Sequence, residues 1–196
     1  DLTDMVMTQM VADIRSTVEP AWSRRGMWNR SYYEARVPCV PTMLLESMSH
    51  QNFADMRYGH DPRFKFAVSR AIYKGILKHV AAQYGYDYVV QPLPVRAFQI
   101  ARSGERSVTL SWQERPDSLE PTARAEGFVL YTSVDGAGFD NGRLIHDTTV
   151  TVEQEPGRHY RYRITASNAG GESFPSETLA ACLLPESQAT VLIVNG

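Results

Sequence analysis

Apolar residues recur every four positions at Leu2, Val6, Met10, Ile14 and Val18, with Met7 and Val11 widening the stripe. That spacing predicts an amphipathic helix, and Pro20 marks its end. A polar, aromatic stretch follows (WSRRGMWNRSYYEAR), then Val37-Pro38-Cys39-Val40-Pro41 leads into Thr42-Met43-Leu44-Leu45. This run is short and apolar on both faces, which predicts a buried strand of a parallel sheet ending in Glu46. Residues 47–60 read as loop. Asp61 is a good N-cap with Pro62 at the first helical position, opening a second helix to about Gln83. Its apolar face carries Phe64, Val68, Ala71, Ile72, Gly75, Ile76, His79 and Val80. Helix, strand, helix is the order of an α/β fragment of an open sheet. A central parallel strand needs neighbours on both edges, so either further strands lie upstream in the same polypeptide or the fragment packs unusually.

The period then changes from helical to two. Gln91-Pro92-Leu93-Pro94 reads as a stiff linker, because each proline restricts itself and the residue before it. Beyond it Val108, Leu110 and Trp112 alternate with Thr109 and Ser111, Phe128 and Leu130 with Val129 and Tyr131, and Tyr160, Tyr162, Ile164 and Ala166 with Arg161, Arg163 and Thr165. Turn-rich stretches such as DGAGFDNG and NAGGES separate these strands, and the whole predicts an all-β sandwich. The expected organisation is residues 1–90, an α/β part; 91–94, a linker; 95–184, the sandwich; and 185–196, a tail. Within the tail, Val191-Leu192-Ile193-Val194 reads as the opening strand of a further domain, or else as an added edge strand. The chain also opens already inside a helical pattern, so additional domains of the same polypeptide are expected.

Composition narrows the partners. With 43% hydrophobic residues in 196, disorder is not the default, and a net charge of −2 with scattered arginines leaves no basic excess for a phosphate backbone. Nucleic acid is therefore not an expected partner. No apolar run approaches the roughly 20 residues of a transmembrane helix, and the first residues lack the pattern of a signal peptide. The two cysteines, Cys39 and Cys182, fall in different expected domains and read as small buried apolar residues, not a disulfide.

Two resemblances add to this. Ser107-Val108-Thr109-Leu110-Ser111-Trp112 resembles the second strand of a fibronectin type III module, and Pro156–Asn168 resembles its sixth strand. Gly171-Glu172-Ser173-Phe174-Pro175-Ser176 resembles the turn into the last strand. Aliphatic Leu110 and Ile164 stand where an immunoglobulin domain would carry its cysteine pair, and Tyr160 is placed for a tyrosine-corner hydrogen bond. A spacer role is preferred to a binding role, since no ligand motif is visible in the sandwich.

The run Val37–Glu46, then Asn52 and Asp55, then Phe64–Val80 resembles the C-terminal part of zinc-dependent N-acetylmuramoyl-L-alanine amidases, although Ser47-Met48-Ser49 departs from that family's Leu-Gly-Phe. The resemblance implies that Glu46 is the catalytic base of a zinc-activated water, with Arg36, His50 and Asn52 as candidate substrate-binding residues around it. It also implies that the zinc ligands lie upstream. No metal site is expected within these residues, whose five histidines lack ligand spacing. The alternative for Glu46 is a strand-ending carboxylate that meets solvent or Arg36. His79 reads as a core or helix-end histidine, and Trp22, Trp28, Tyr32 and Tyr33 as packing residues in preference to sugar-stacking ones. The leading expectation is an incomplete and inactive piece of a secreted bacterial cell-wall hydrolase acting on peptidoglycan or another cell-surface glycan. The alternative, from a different class, is a pair of non-catalytic surface or spacer modules of a secreted polysaccharide-active protein. Similar module combinations sometimes carry the label xanthan lyase.

Overall fold

A computed structural model describes residues 1–184 and divides the chain into two units, Asp1–Tyr88 and Val89–Gly196. The first is helical. Helix α1 (Leu2–Thr17) is capped by the Asp1 carboxylate, which accepts from the Asp4 amide, and buries Val6, Met10 and Ile14. Two short helices follow, α2 (Tyr33–Arg36) and α3 (Phe53–Gly59). Then α4 (Pro62–Tyr84) starts on the Asp61 cap, whose side chain accepts from the Arg63 amide at 2.8 Å.

Helices α1 and α4 pack on each other with Val6, Met10 and Ala71 at the centre. Gly75 permits their closest approach, because a Cβ there would stand 2.6 Å from the Val6 Cα. Lys74 lies among these apolar residues only 1% exposed, its Nζ 2.8 Å from the Asp13 carboxylate. Gln9 donates to the other Asp13 oxygen at 2.8 Å and accepts from Lys78 at 2.7 Å. At one end Trp22, Tyr58 and Phe64 form an aromatic trio with ring centroids 5.5–5.7 Å apart.

The expected strand at Thr42–Leu45 does not form; residues 41–49 carry no helix or strand. Met43 and Leu45 instead pack against the α1–α4 core, while Leu44 and Glu46 face out. The apolar pattern is thus satisfied by helix contacts, and no described strand stands beside this segment to ladder with it. The loop expected at 47–60 contains α3, because Asn52 caps it by accepting from the Ala54 amide and Asp55 accepts from the Ser49 amide. Cys39 is exposed and Cys182 half-buried, both free, against the expectation of burial.

Among the described residues the second unit is an antiparallel sandwich of eight strands: β1 (Arg96–Arg102), β2 (Ser107–Gln113), β3 (Gly127–Val134), β4 (Arg143–Ile145), β5 (Thr149–Glu153), β6 (Tyr160–Asn168), β7 (Gly171–Glu172) and β8 (Leu179–Ala181). One sheet runs β1-β2-β5; the other runs β4-β3-β6, with β7 and β8 both pairing with β6. The inward positions read from the alternation are the ones buried: Val108, Leu110, Trp112, Phe128, Leu130, Tyr160, Tyr162, Ile164 and Ala166. Trp112 sits edge-on between Phe98 and Phe128, at 6.3 and 5.5 Å. The Tyr160 hydroxyl accepts from the Glu155 amide at 3.0 Å, closing the expected tyrosine corner.

Residues 91–94, read as linker, are built into this unit: Pro92 and Leu93 are buried, as is Val90 before them. The Asn168 carboxamide donates to the carbonyls of Val90, Thr122 and Arg124 at 2.9–3.2 Å, and Thr122 accepts from the Val90 amide. Gly170 allows the contact, since a Cβ there would lie 2.3 Å from the Val89 carbonyl oxygen. The strand-like run at 191–194 lies outside the described residues.

Candidate functional site

The first unit carries a cleft of about 890 Å³ between the start of α1, residues 25–32, the end of α2 and residues 42–46. Its walls are held by a few polar contacts. Arg24 pairs with Asp4 and donates to the Thr8 hydroxyl at 2.9 Å, tying residues 24–30 to the outer face of α1. The guanidinium bonded to Asp4 holds that carboxyl below its ordinary range. Arg15 donates to the Trp22 carbonyl at 2.7 Å, fixing the start of the same segment. At the other end of this turn, Glu19 accepts from the Ala21 amide and from the Tyr58 hydroxyl; both bonds favour its ionised form and push its pKa down, while that of Tyr58 goes up.

Glu46 and Arg36 both line this cleft, and both are exposed. His50 is an exposed turn residue and does not line it. Asn52 spends its side-chain oxygen on the α3 cap. The structure therefore brings two of the four candidate site residues to one wall and leaves the other two outside it. Residues that the pattern did not single out complete the cleft: Arg25 and Arg30, with the Arg30 guanidinium 5.1 Å from the centre of the Trp28 ring. Trp28 is 66% exposed, and Tyr32 and Tyr33 are exposed as well; of the four aromatics expected to pack, only Trp22 does. The repeated Arg and aromatic residues of SRRGMWNRSYYEAR were the available signal.

Among the described residues no three His, Cys, Asp or Glu side chains stand together as a metal site. The amidase resemblance puts its zinc ligands outside these residues, and the chemistry the cleft itself can carry is that of two carboxylates, Asp1 and Glu46, three guanidiniums and aromatic faces. His79 is half-buried on α4.

The sandwich has a shallower depression of about 550 Å³ beside Asp135, His159 and Cys182. Its carboxylate is occupied: Asp135 accepts from the His159 amide at 2.9 Å and from Arg158 at 2.8 Å, and these bonds hold its pKa down. That arrangement ties a turn to the start of β6 and leaves no free acid–base pair. No helix among the described residues is long and apolar enough to cross a membrane.

Residues 93–181 match the family model of the fibronectin type III domain, so the sandwich is such a domain, preceded by a helical region. Similar solved structures include the twitchin kinase region from C. elegans, 23% identical over 51% of this chain with a TM-score of 0.43. Titin domains A168–A170 are 22% identical over 48% with a TM-score of 0.42, and the third fibronectin III domain of human KIAA0343 protein is 12% identical over 54% with a TM-score of 0.43. The chain spans 18%, 32% and 92% of these three, respectively.

Proposed function

We propose that this chain is a pair of non-catalytic modules of a larger secreted protein that works on a cell-wall or cell-surface glycan, with the sandwich as a spacer. The observation that carries the reading is the locked incoming segment. Asn168 gathers the carbonyls of Val90, Thr122 and Arg124, so the residues that open the sandwich unit are held as part of it and are not a flexible tether. A spacer that sets direction needs such an anchor, whereas a binding module needs a site, and the sandwich depression has its carboxylate already paired. The test is exchange of residues 89–184 in the full-length protein for an unrelated sandwich with similarly placed ends. Unchanged glycan turnover or attachment is expected; loss of it, or saccharide binding by residues 89–184 alone, overturns the spacer role.

A second reading has its own support. Glu46 lines the cleft beside Arg36, exposed and engaged in no ion pair among the described residues, as a general base for an attacking water would need to be. In that reading the chain supplies the base of a peptidoglycan amidase, and residues outside it hold the zinc. Full-length protein carrying Glu46→Ala should then lose hydrolysis of muropeptides by a factor of 100 or more, on the order of a lost general base. Full activity in that variant removes the hydrolase reading and leaves the module reading in place.

A further inference from the structure

We propose that the cleft of the first unit is a binding site for an acidic saccharide, a sugar ring carrying a carboxylate. The inference rests on the reading of this unit as glycan-facing and names the class of glycan. Arg25, Arg30 and Arg36 all line the cleft and none has an ion-pair partner among the described residues, whereas Arg24 beside them is consumed by Asp4. Three guanidiniums without ion-pair partners line the cleft against two carboxylates, Glu46 and Asp1, the latter already accepting from the Asp4 amide, which leaves a local positive excess in a chain whose net charge is −2. A guanidinium presents paired N–H donors that match a carboxylate.

The second independent feature is the aromatic platform. One face of Trp28 is taken by Arg30 at 5.1 Å, yet the side chain remains 66% exposed, so the ring offers the other face to a ligand. An apolar sugar face stacks on such a ring while its carboxylate reaches the guanidiniums. Ser31, Asn29 and Thr42 on the same walls suit hydroxyl groups, and so does Glu46 as an acceptor. A nucleic-acid strand also uses arginine and aromatic groups, but its phosphates would approach an acidic molecule with two carboxylates, Asp1 and Glu46, in the site. One carboxylate per ring matches the local balance better.

The test titrates the full chain with trigalacturonic acid, with neutral maltotriose, with inorganic sulfate and with a single-stranded DNA hexamer, following heat of binding and tryptophan fluorescence. Saturable binding of the acidic trisaccharide is expected, at least tenfold tighter than that of maltotriose and weakened by salt. Arg30→Gln and Trp28→Ala should each weaken it at least tenfold, with the thermal midpoint unchanged because both side chains are exposed; Trp28→Phe, which keeps a ring, should retain most of it. No binding, equal affinity for maltotriose, tighter binding of sulfate or DNA, or indifference to both substitutions would each overturn the assignment. None of these results touches the spacer role, which is read on residues 89–184.

Discussion

Gly75 shows how one missing side chain sets a helix pair. Alanine would raise helix propensity by about 1 kcal/mol, but its Cβ would meet the Val6 Cα at 2.6 Å, and that backbone can give way only if α1 moves off α4. Overpacking against a well-filled interface costs about 1–3 kcal/mol, so packing wins. Gly75→Ala should therefore destabilise residues 1–88 by about 1 kcal/mol or more, read by urea unfolding of the helical signal; a stabilising result would contradict the close approach. Asp135 tests electrostatics in the sandwich. The His159 amide and the Arg158 guanidinium lower its pKa from the ordinary 3.8, so its contribution is present above that value and lost as pH falls below it. Asp135→Asn should flatten the acid limb of the sandwich's stability curve and leave its slope near neutrality alone. An unchanged acid limb would mean the carboxylate is not coupled to folding.

Between elements, the strongest commitment is the buried pair Lys74–Asp13, extended through Gln9 to Lys78. Removing one partner leaves an uncompensated buried charge, a loss of about 3–5 kcal/mol, whereas replacing both with apolar residues is typically neutral or stabilising. Asp13→Ala alone should thus melt the α1–α4 pair at low denaturant, and Lys74→Met with Asp13→Leu should restore or exceed the parent midpoint. If the double variant is as weak as the single one, the network contributes more than its desolvation costs. In the sandwich, Asn168→Ala removes the donor shared by three carbonyls. Amide exchange at Val90 should rise several-fold, as expected for a lost, partly buried hydrogen bond worth about 0.5–1.5 kcal/mol, while β2 and β6 amides change little. The stripe of α1 and the Asp61-Pro62 start of α4 were legible because capping and period are local. Lys74 was not, since a lysine is charged and solvated by default, and only the facing Asp13 on another helix makes its burial tolerable.

For the molecule as a whole, the two units differ in how much of their apolar surface they cover. The sandwich surrounds Trp112 with a continuous buried cluster, and its alternation was readable because every inward residue faces the same interior. Residues 89–184 alone should fold with a single cooperative thermal transition; a broad, non-cooperative melt would show that the core is not self-sufficient. The first unit leaves Trp28, Tyr33, Val40 and Phe53 more than half exposed, up to 86% for Phe53.

Local rules were enough for β2, β3 and β6, the tyrosine corner and both long helices, because period, caps and turns are written within a few neighbouring residues. The state of Thr42–Leu45 was not settled there: an apolar run becomes a strand only beside another strand, and here its side chains found helices. The cleft likewise needed the fold. Arg25, Arg30, Arg36, Trp28 and Glu46 are separate along the chain, and only the pinning of Arg24 to α1 and the course of 42–46 past it gather them around one cleft.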